Sequence, residues 1–287
     1  MQYLLLLLVL TTLSAQNLIT KNYFVKAKAS SPFIFSGFGV LFALLYFVAT
    51  GIGRLNFGET EKILPYSLLF AVTYGLAVFT SKASIGCGPL SLSALFCSYS
   101  LMLPTFYGIF VTGDDVTLLK VLGITLLVIS VILVNLKKED SRITPKWVLL
   151  IILNIISNGI CTIVQRVQQE DFSGEYKNEF MIIALAVVAF VMIISSVVLT
   201  KNRKAVLKDK ALLKNSFLNG ASNGFTNHMT MLLVAYLPSS VMYPTISAGS
   251  IIVSTVAAVF VYREKLSRMK IAGFVTGILS VILLNIR

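Results

Sequence analysis

The chain is 287 residues long, 56% hydrophobic and only 13% charged, with a mean hydropathy of +0.87. Soluble domains carry roughly 25% charged residues, so this composition excludes an ordinary soluble globular protein and indicates one embedded in a bilayer. The formal net charge of +12 does not point to nucleic acid, because the basic residues lie between apolar runs without interleaved aromatics and read as topology signals.

A spanning helix needs about 20 apolar residues, and runs of that kind are predicted at 3–20, 33–51, 64–82, 90–111, 117–136, 147–166, 180–200, 213–235, 239–261 and 269–286. The runs are too long and too unalternating for barrel strands, so they are read as helices. The first lacks a basic segment before it and continues to Thr20, which favours a span over a cleaved signal. Thr12, Gln16 and Thr20 recur along one side of it. In the third span Tyr66, Thr73, Tyr74 and Ser81 do the same. Pro32, Pro65, Pro89, Pro145 and Pro238 lie at predicted span edges, where a helix start tolerates proline, whereas Pro104 and Pro244 fall inside spans and predict kinks. The sixth span gathers Asn154, Ser157, Asn158, Cys161, Thr162 and Gln165 on one face, opposite a run of isoleucines.

The eighth span is the most unusual. Asn215, Asn219, Ser222, Asn223, Thr226 and Thr230 form a polar stripe at three- and four-residue steps, with Gly220, Gly224 and His228 in a second line beside it. A bare polar group in hydrocarbon costs several kcal/mol, so the stripe has to face protein or water. The glycine line has the small-xxx-small spacing of a close packing face, and His228, the one histidine, reads as a packing residue rather than a proton switch. In the ninth span Ser240, Tyr243, Ser247, Ser250 and Ser254 line up, while the fifth and tenth are almost wholly apolar.

The chain also repeats itself. A shift of 150 residues lays Lys120, Gly123, Ser130 and Asn135 onto Lys270, Gly273, Ser280 and Asn285, and a shift of 149 lays Gly75 onto Gly224. The expectation is an all-α integral membrane protein of about ten transmembrane helices in two five-helix repeats, 1–138 and 146–287, joined by a charged linker at 139–145. An odd number of spans per half inverts the second half. Charge agrees: loops after the odd-numbered spans carry 18 Lys/Arg against four acids, and the other side carries six against eight. The basic side is then cytoplasmic, with both termini outside.

Tyr262-Arg263-Glu264-Lys265-Leu266, Gly273 and the run Ser280 to Asn285, with Asp114-Asp115-Val116, Gly123 and Ser130 to Asn135 in the first half, make a recurring acidic turn, glycine-bearing span and closing apolar run. This resembles the drug/metabolite transporter superfamily, of the EamA-domain type. The resemblance implies a multi-pass permease with a central cavity and not an enzyme. The small multidrug-resistance relatives rely on a glutamate in the first span, and this first span has none.

The striped faces have two readings, interhelical hydrogen bonding or a shared wet cavity, and five striped helices favour the cavity. Gln16, Tyr74, Asn154, Asn158, Asn219, Asn223, Thr226, Tyr243 and Ser247 are the candidate solute-binding residues. Lys21, Lys82 and Arg166 stand at the ends of striped spans, either snorkelling to the interface or contacting an anion. No carboxylate falls inside a predicted span, so amides and hydroxyls point to a small neutral or zwitterionic metabolite, amino-acid-like, moved by alternating access and exported. The alternatives are a transporter of sugars or phosphorylated metabolites, a membrane-embedded lipid-acting enzyme, or an accessory subunit. Cys87, Cys97 and Cys161 lack metal-ligand spacing, and neither a metal nor a cofactor is expected. The expected partners are a small-molecule substrate and the lipid bilayer of the cell membrane, with a second copy of the chain as the candidate protein partner and no nucleic acid.

Overall fold

The structure is a computed structural model and describes residues 2–26, 31–87, 99–135, 144–200, 203–262 and 268–285. Helices α1 (Gln2–Lys26), α2 (Pro32–Gly51) and α3 (Thr60–Cys87) come first. A 3-10 turn (Tyr99–Leu101) leads into α4 (Met102–Phe110), followed by α5 (Leu118–Asn135), α6 (Pro145–Asp171) and α7 (Lys177–Leu199). The short α8 (Arg203–Leu207) then precedes α9 (Lys210–Leu233), α10 (Ser239–Tyr262) and α11 (Arg268–Asn285), and no strand occurs among the described residues. Among those residues five helices are long and apolar enough to cross a bilayer, over Gln2–Phe24, Pro32–Gly51, Thr60–Ser81, Pro145–Asp171 and Lys177–Leu199; Leu118–Ser130 and Ile271–Leu284 are shorter apolar helices. α9 has the length, 24 residues or about 36 Å, but its amides dilute its apolar character. Part of the fourth predicted span, most of the 139–145 linker, Glu264 and Cys97 lie outside the described residues, as do the side chains of Cys87, Ser250 and Ser254. Cys161 is buried and free.

Helix starts follow local chemistry. Ser31 precedes Pro32 and accepts from the Ile34 amide (3.4 Å), and Thr144 precedes Pro145 and accepts from the Trp147 amide (3.2 Å). In both, a hydroxyl caps the first turn and a proline with no amide to leave unpaired opens it. Asp209 caps α9 through Ala211 in the same way (2.9 Å). Two prolines differ from expectation. Pro65 stands inside α3 because the helix begins at Thr60, and its missing bond falls near the exposed end at Glu61. Pro104 sits in the first turn of α4, so it opens a helix rather than kinking one.

The packing pairs helices that are far apart in sequence: α1 with α9, α2 with α7 and α9, α3 with α6 and α7, α5 with α11. Side-chain contacts give the directions. Tyr66 meets Asp171 while Asn154 meets Ala77 and Thr80, so α3 and α6 are antiparallel. Thr12 meets Thr226 while Thr20 meets Asn219, so α1 and α9 are antiparallel too. One apolar cluster joins α2, α3, α6 and α7 around Phe47, Ile63, Phe70, Phe180 and Leu185, and a second joins α1, α9 and α10 around Val9, Leu233, Met242 and Tyr243.

The α5–α11 pair holds a reciprocal contact. Ser130 donates to the backbone carbonyl of Gly273 (2.6 Å), and Ser280 donates to that of Gly123 (2.7 Å); both serines are fully buried. These four positions are the ones that the 150-residue shift equates. The hydroxyls are satisfied where lipid offers no partner. Replacing Ser130 or Ser280 with alanine should each cost about 0.6–1 kcal/mol, nearly equally and additively, in unfolding measured in detergent. A strongly unequal pair would show that the two contacts are not equivalent.

Candidate functional site

The position of the amide stripe is set by the opposite side of α9. A Cβ added at Gly220 would run into the Gly39 carbonyl and lie 2.8 Å from Phe42 Cβ, and one at Gly224 would lie 2.8 Å from the Tyr46 ring. His228 stacks on Phe47 (ring centroids 5.8 Å apart, planes at 15°) and meets Tyr46 edge-on (6.1 Å, 83°). The glycine–histidine line is therefore the face on which α9 packs against α2, and its missing side chains let the two backbones approach. With that face spent on packing, the amide stripe turns toward α1, α3 and α6.

There it lines a cavity of about 330 Å³. Gln16 and Thr20 come from α1, Tyr74, Ala77, Val78 and Ser81 from α3, Asn154 and Asn158 from α6, and Asn219 and Asn223 from α9; Phe35, Ser36, Gly39 and Val40 of α2 complete the wall. None of these lining side chains is charged. Tyr74 donates to Asn223 Oδ1 (3.1 Å), Asn223 Nδ2 to Gln16 Oε1 (3.2 Å), and Asn219 Nδ2 to Thr20 (3.0 Å) and the Gln16 carbonyl (3.2 Å). Asn154 Nδ2 donates to the Ala77 carbonyl (2.8 Å) and Thr80 (3.2 Å), and Asn158 Nδ2 to Ser100 (2.6 Å). The polar wall is thus a hydrogen-bonded network tying four helices together.

Of the nine predicted binding residues, Gln16, Tyr74, Asn154, Asn158, Asn219 and Asn223 line the cavity. Thr226 lies behind it, buried, receiving Gln16 Nε2 (2.9 Å) and meeting Thr12 (2.8 Å). Tyr243 does not line it: the ring is 1% exposed among Leu5, Val9 and Met242, because α10 packs that row against α1. Ser247 lines a separate crevice with Tyr99, Leu101 and Pro244. Residues Ser36 and Gly39 were not foreseen, since α2 reads as almost uniformly apolar; its Ser36-Gly37-Phe38-Gly39 stretch is the only trace.

Of the predicted anion contacts, Arg166 is not among the residues that line the cavity. Arg166 is buried (5% exposed), with Nε 2.7 Å from Glu170 and Nη1 donating to the Leu237 carbonyl (3.2 Å). The Glu170 contact is an ion pair rather than an aligned hydrogen bond, since Nε–H does not point along it. The physical reason is that α6 runs on to Asp171, five residues past the predicted span end, which puts Glu170 one turn from Arg166 on the same face. The side chains of Lys21 and Lys82 lie outside the described residues. Beyond the cavity, Tyr66 donates to Asp171 (2.6 Å) and Asn56 N donates to buried Glu179 (2.6 Å). These contacts gather at the end where α3 begins and α6 finishes, opposite the cavity.

Glycine substitutions separate packing from permissiveness. Gly220→Ala should destabilise by about 1–3 kcal/mol through overpacking against α2. Gly75→Ala, with nothing within 4 Å of the added Cβ, should be neutral or gain up to about 1 kcal/mol of helix propensity. Thermal melts of the two variants check this, and equal losses would contradict the packing.

Residues 145–286 match the model of the EamA-like transporter family. No curated protein matches the chain. Its fold is similar to that of a solved crystal structure described only as a protein, with a TM-score of 0.81 and 12% identity over 99% of this chain and 96% of that one. At that identity the likeness concerns the fold alone.

Proposed function

With residues 145–286 belonging to the EamA-like transporter family, we propose that this integral membrane protein is a permease of the cell membrane that moves a small neutral or zwitterionic metabolite through the cavity. The observation that carries the reading is the convergence of Gln16, Tyr74, Asn154, Asn158, Asn219 and Asn223, from four helices, on one hollow whose wall holds no charged side chain among the described residues. About 330 Å³ is the lower end of the range for small-molecule pockets, which fits an amino-acid-sized solute. Tyr74, Phe35 and Val40 offer it an apolar flank, and the amides offer it polar partners.

Movement is by alternating access between two inverted five-helix halves, 1–138 and 146–287, in about ten spans. The reciprocal Ser130–Gly273 and Ser280–Gly123 bonds support that symmetry, as does the exchange of partners by which α1 packs on α9 as α6 packs on α3. The cavity residues lie toward the end where α1 and α3 finish and α2 and α6 begin, which is the basic side. The Tyr66–Asp171 and Arg166–Glu170 contacts at the other end then belong to a closed outer side and part in the opposite state. Export follows from loading at the basic, cytoplasmic side.

The test is reconstitution. Vesicles carrying the purified protein should accumulate or release a labelled neutral or zwitterionic solute from a metabolite pool. Asn223→Leu, which removes the partner of Tyr74, Gln16 and Asn227, should slow that flux tenfold or more while the protein still melts cooperatively. Collapse of the proton gradient alone should leave the flux intact, as uncoupled export requires. Flux of anionic solutes only, or flux indifferent to Asn223, would overturn the assignment.

A further inference from the structure

The cavity amides share a common sense of orientation, and it can be read from groups that can act in one way only. Asn154 Nδ2 donates to the backbone carbonyl of Ala77 (2.8 Å) and Asn219 Nδ2 to that of Gln16 (3.2 Å). A backbone carbonyl only accepts, so each of these amides is held with its nitrogen turned into the protein. Asn227 Nδ2 donates to the Asn223 backbone carbonyl (2.9 Å) and also to Asn223 Oδ1 (3.2 Å). That sets Asn223 to give its nitrogen to Gln16 Oε1, and leaves Gln16 Nε2 to serve Thr226 (2.9 Å). The nitrogens of the wall are occupied one after another.

The oxygens are not. Among the described residues no group donates to Oδ1 of Asn154 or Asn219, although Asn154 is only 3% exposed, and neither oxygen is wholly enclosed by protein. Both residues line the cavity. Asn219 Oδ1 lies beside Gly39, where a Cβ would sit 3.6 Å from it, so the glycine keeps that oxygen uncovered. The hollow therefore offers spare acceptors on Asn154 and Asn219, whose two amide hydrogens are each already bonded, and no Lys or Arg lines it among the described residues.

We infer that the cavity recognises its solute by the solute's hydrogen-bond donors, an ammonium group or a set of hydroxyls received by the carbonyl oxygens of Asn154 and Asn219, and not by a carboxylate or phosphate. The inference rests on the reading of this cavity as the solute site. Buried acceptors discriminate by being left unmet: an analogue whose donors are capped strands the Asn154 and Asn219 oxygens, and an anion placed against them meets lone pairs instead of protons.

The test uses the full-length protein in detergent, melted with paired probes. One arm holds leucine, leucine methyl ester and N-acetylleucine; the other holds myo-inositol and its fully O-methylated ether; inorganic phosphate is the anion control. The expected result is a rise in melting temperature with leucine and its ester, with N-acetylleucine at least tenfold weaker, which assigns an ammonium. A rise with inositol that its ether abolishes assigns hydroxyls instead. Gly39→Ala, whose added methyl meets only ordinary contacts at 3.6 and 4.0 Å, should fold and weaken the effective probe severalfold by covering Asn219 Oδ1. Stabilisation by N-acetylleucine or phosphate equal to that by their counterparts overturns the inference while leaving a solute cavity in place. Silence across both arms overturns the inference and the reading beneath it together, and a Gly39→Ala protein that binds as well as the parent removes Asn219 from the site.

Discussion

Hydrocarbon cannot hydrogen-bond an amide, and leaving one bare there costs several kcal/mol. α9 carries Asn219, Asn223 and Asn227 along less than three turns, and each is met by protein: Asn219 by α1, Asn223 by α1 and α3, Asn227 by Gln165 of α6 (3.3 Å) and its own helix. Meeting those demands fixes which helices surround α9 and in what rotation. The glycine line on its other side then packs on α2, and the cavity is what remains where four polar faces meet without filling the space between them. Fold and site here answer one constraint.

The α5–α11 pair follows the same rule without making a hollow. Two buried serines reach across to two glycine carbonyls, and glycines at the contact bring the backbones near enough for both bonds. Gly277 packs against Ser130 and Gly123 against Leu284, so the seam is closed along its length. A bilayer protein gains little from driving apolar side chains together, since lipid tails are equally apolar. Close backbone approach and a few hydrogen bonds supply the cohesion instead.

How much of the site is legible in the sequence depends on how costly each residue is in lipid. Asn154, Asn158, Asn219 and Asn223 were legible because an amide in an apolar run has to be explained. Tyr243 and Ser247 misled, because such a row can be absorbed by packing: Tyr243 is buried against α1 and Ser247 lines a different crevice. In the same way Thr73, Thr80 and Thr105 bond to carbonyls four residues back along the chain and need no wet neighbour. Ser36 and Gly39 were invisible, since a glycine contributes to a wall by what it lacks. Arg166 was misplaced through a helix end: only when α6 is seen to continue to Asp171 does Glu170 become its neighbour.

The uncharged lining of the hollow has an energetic corollary for work against voltage. One elementary charge carried through a membrane potential of 100 mV gains or loses about 2.3 kcal/mol. If the cargo has zero net charge, as proposed, and passes only the uncharged described residues of the lining, it couples to none of that. Were transport of that kind also uncoupled from ions, the cell's electrical polarisation would be idle, and the ratio of solute concentrations on the two faces alone would set which way material flows.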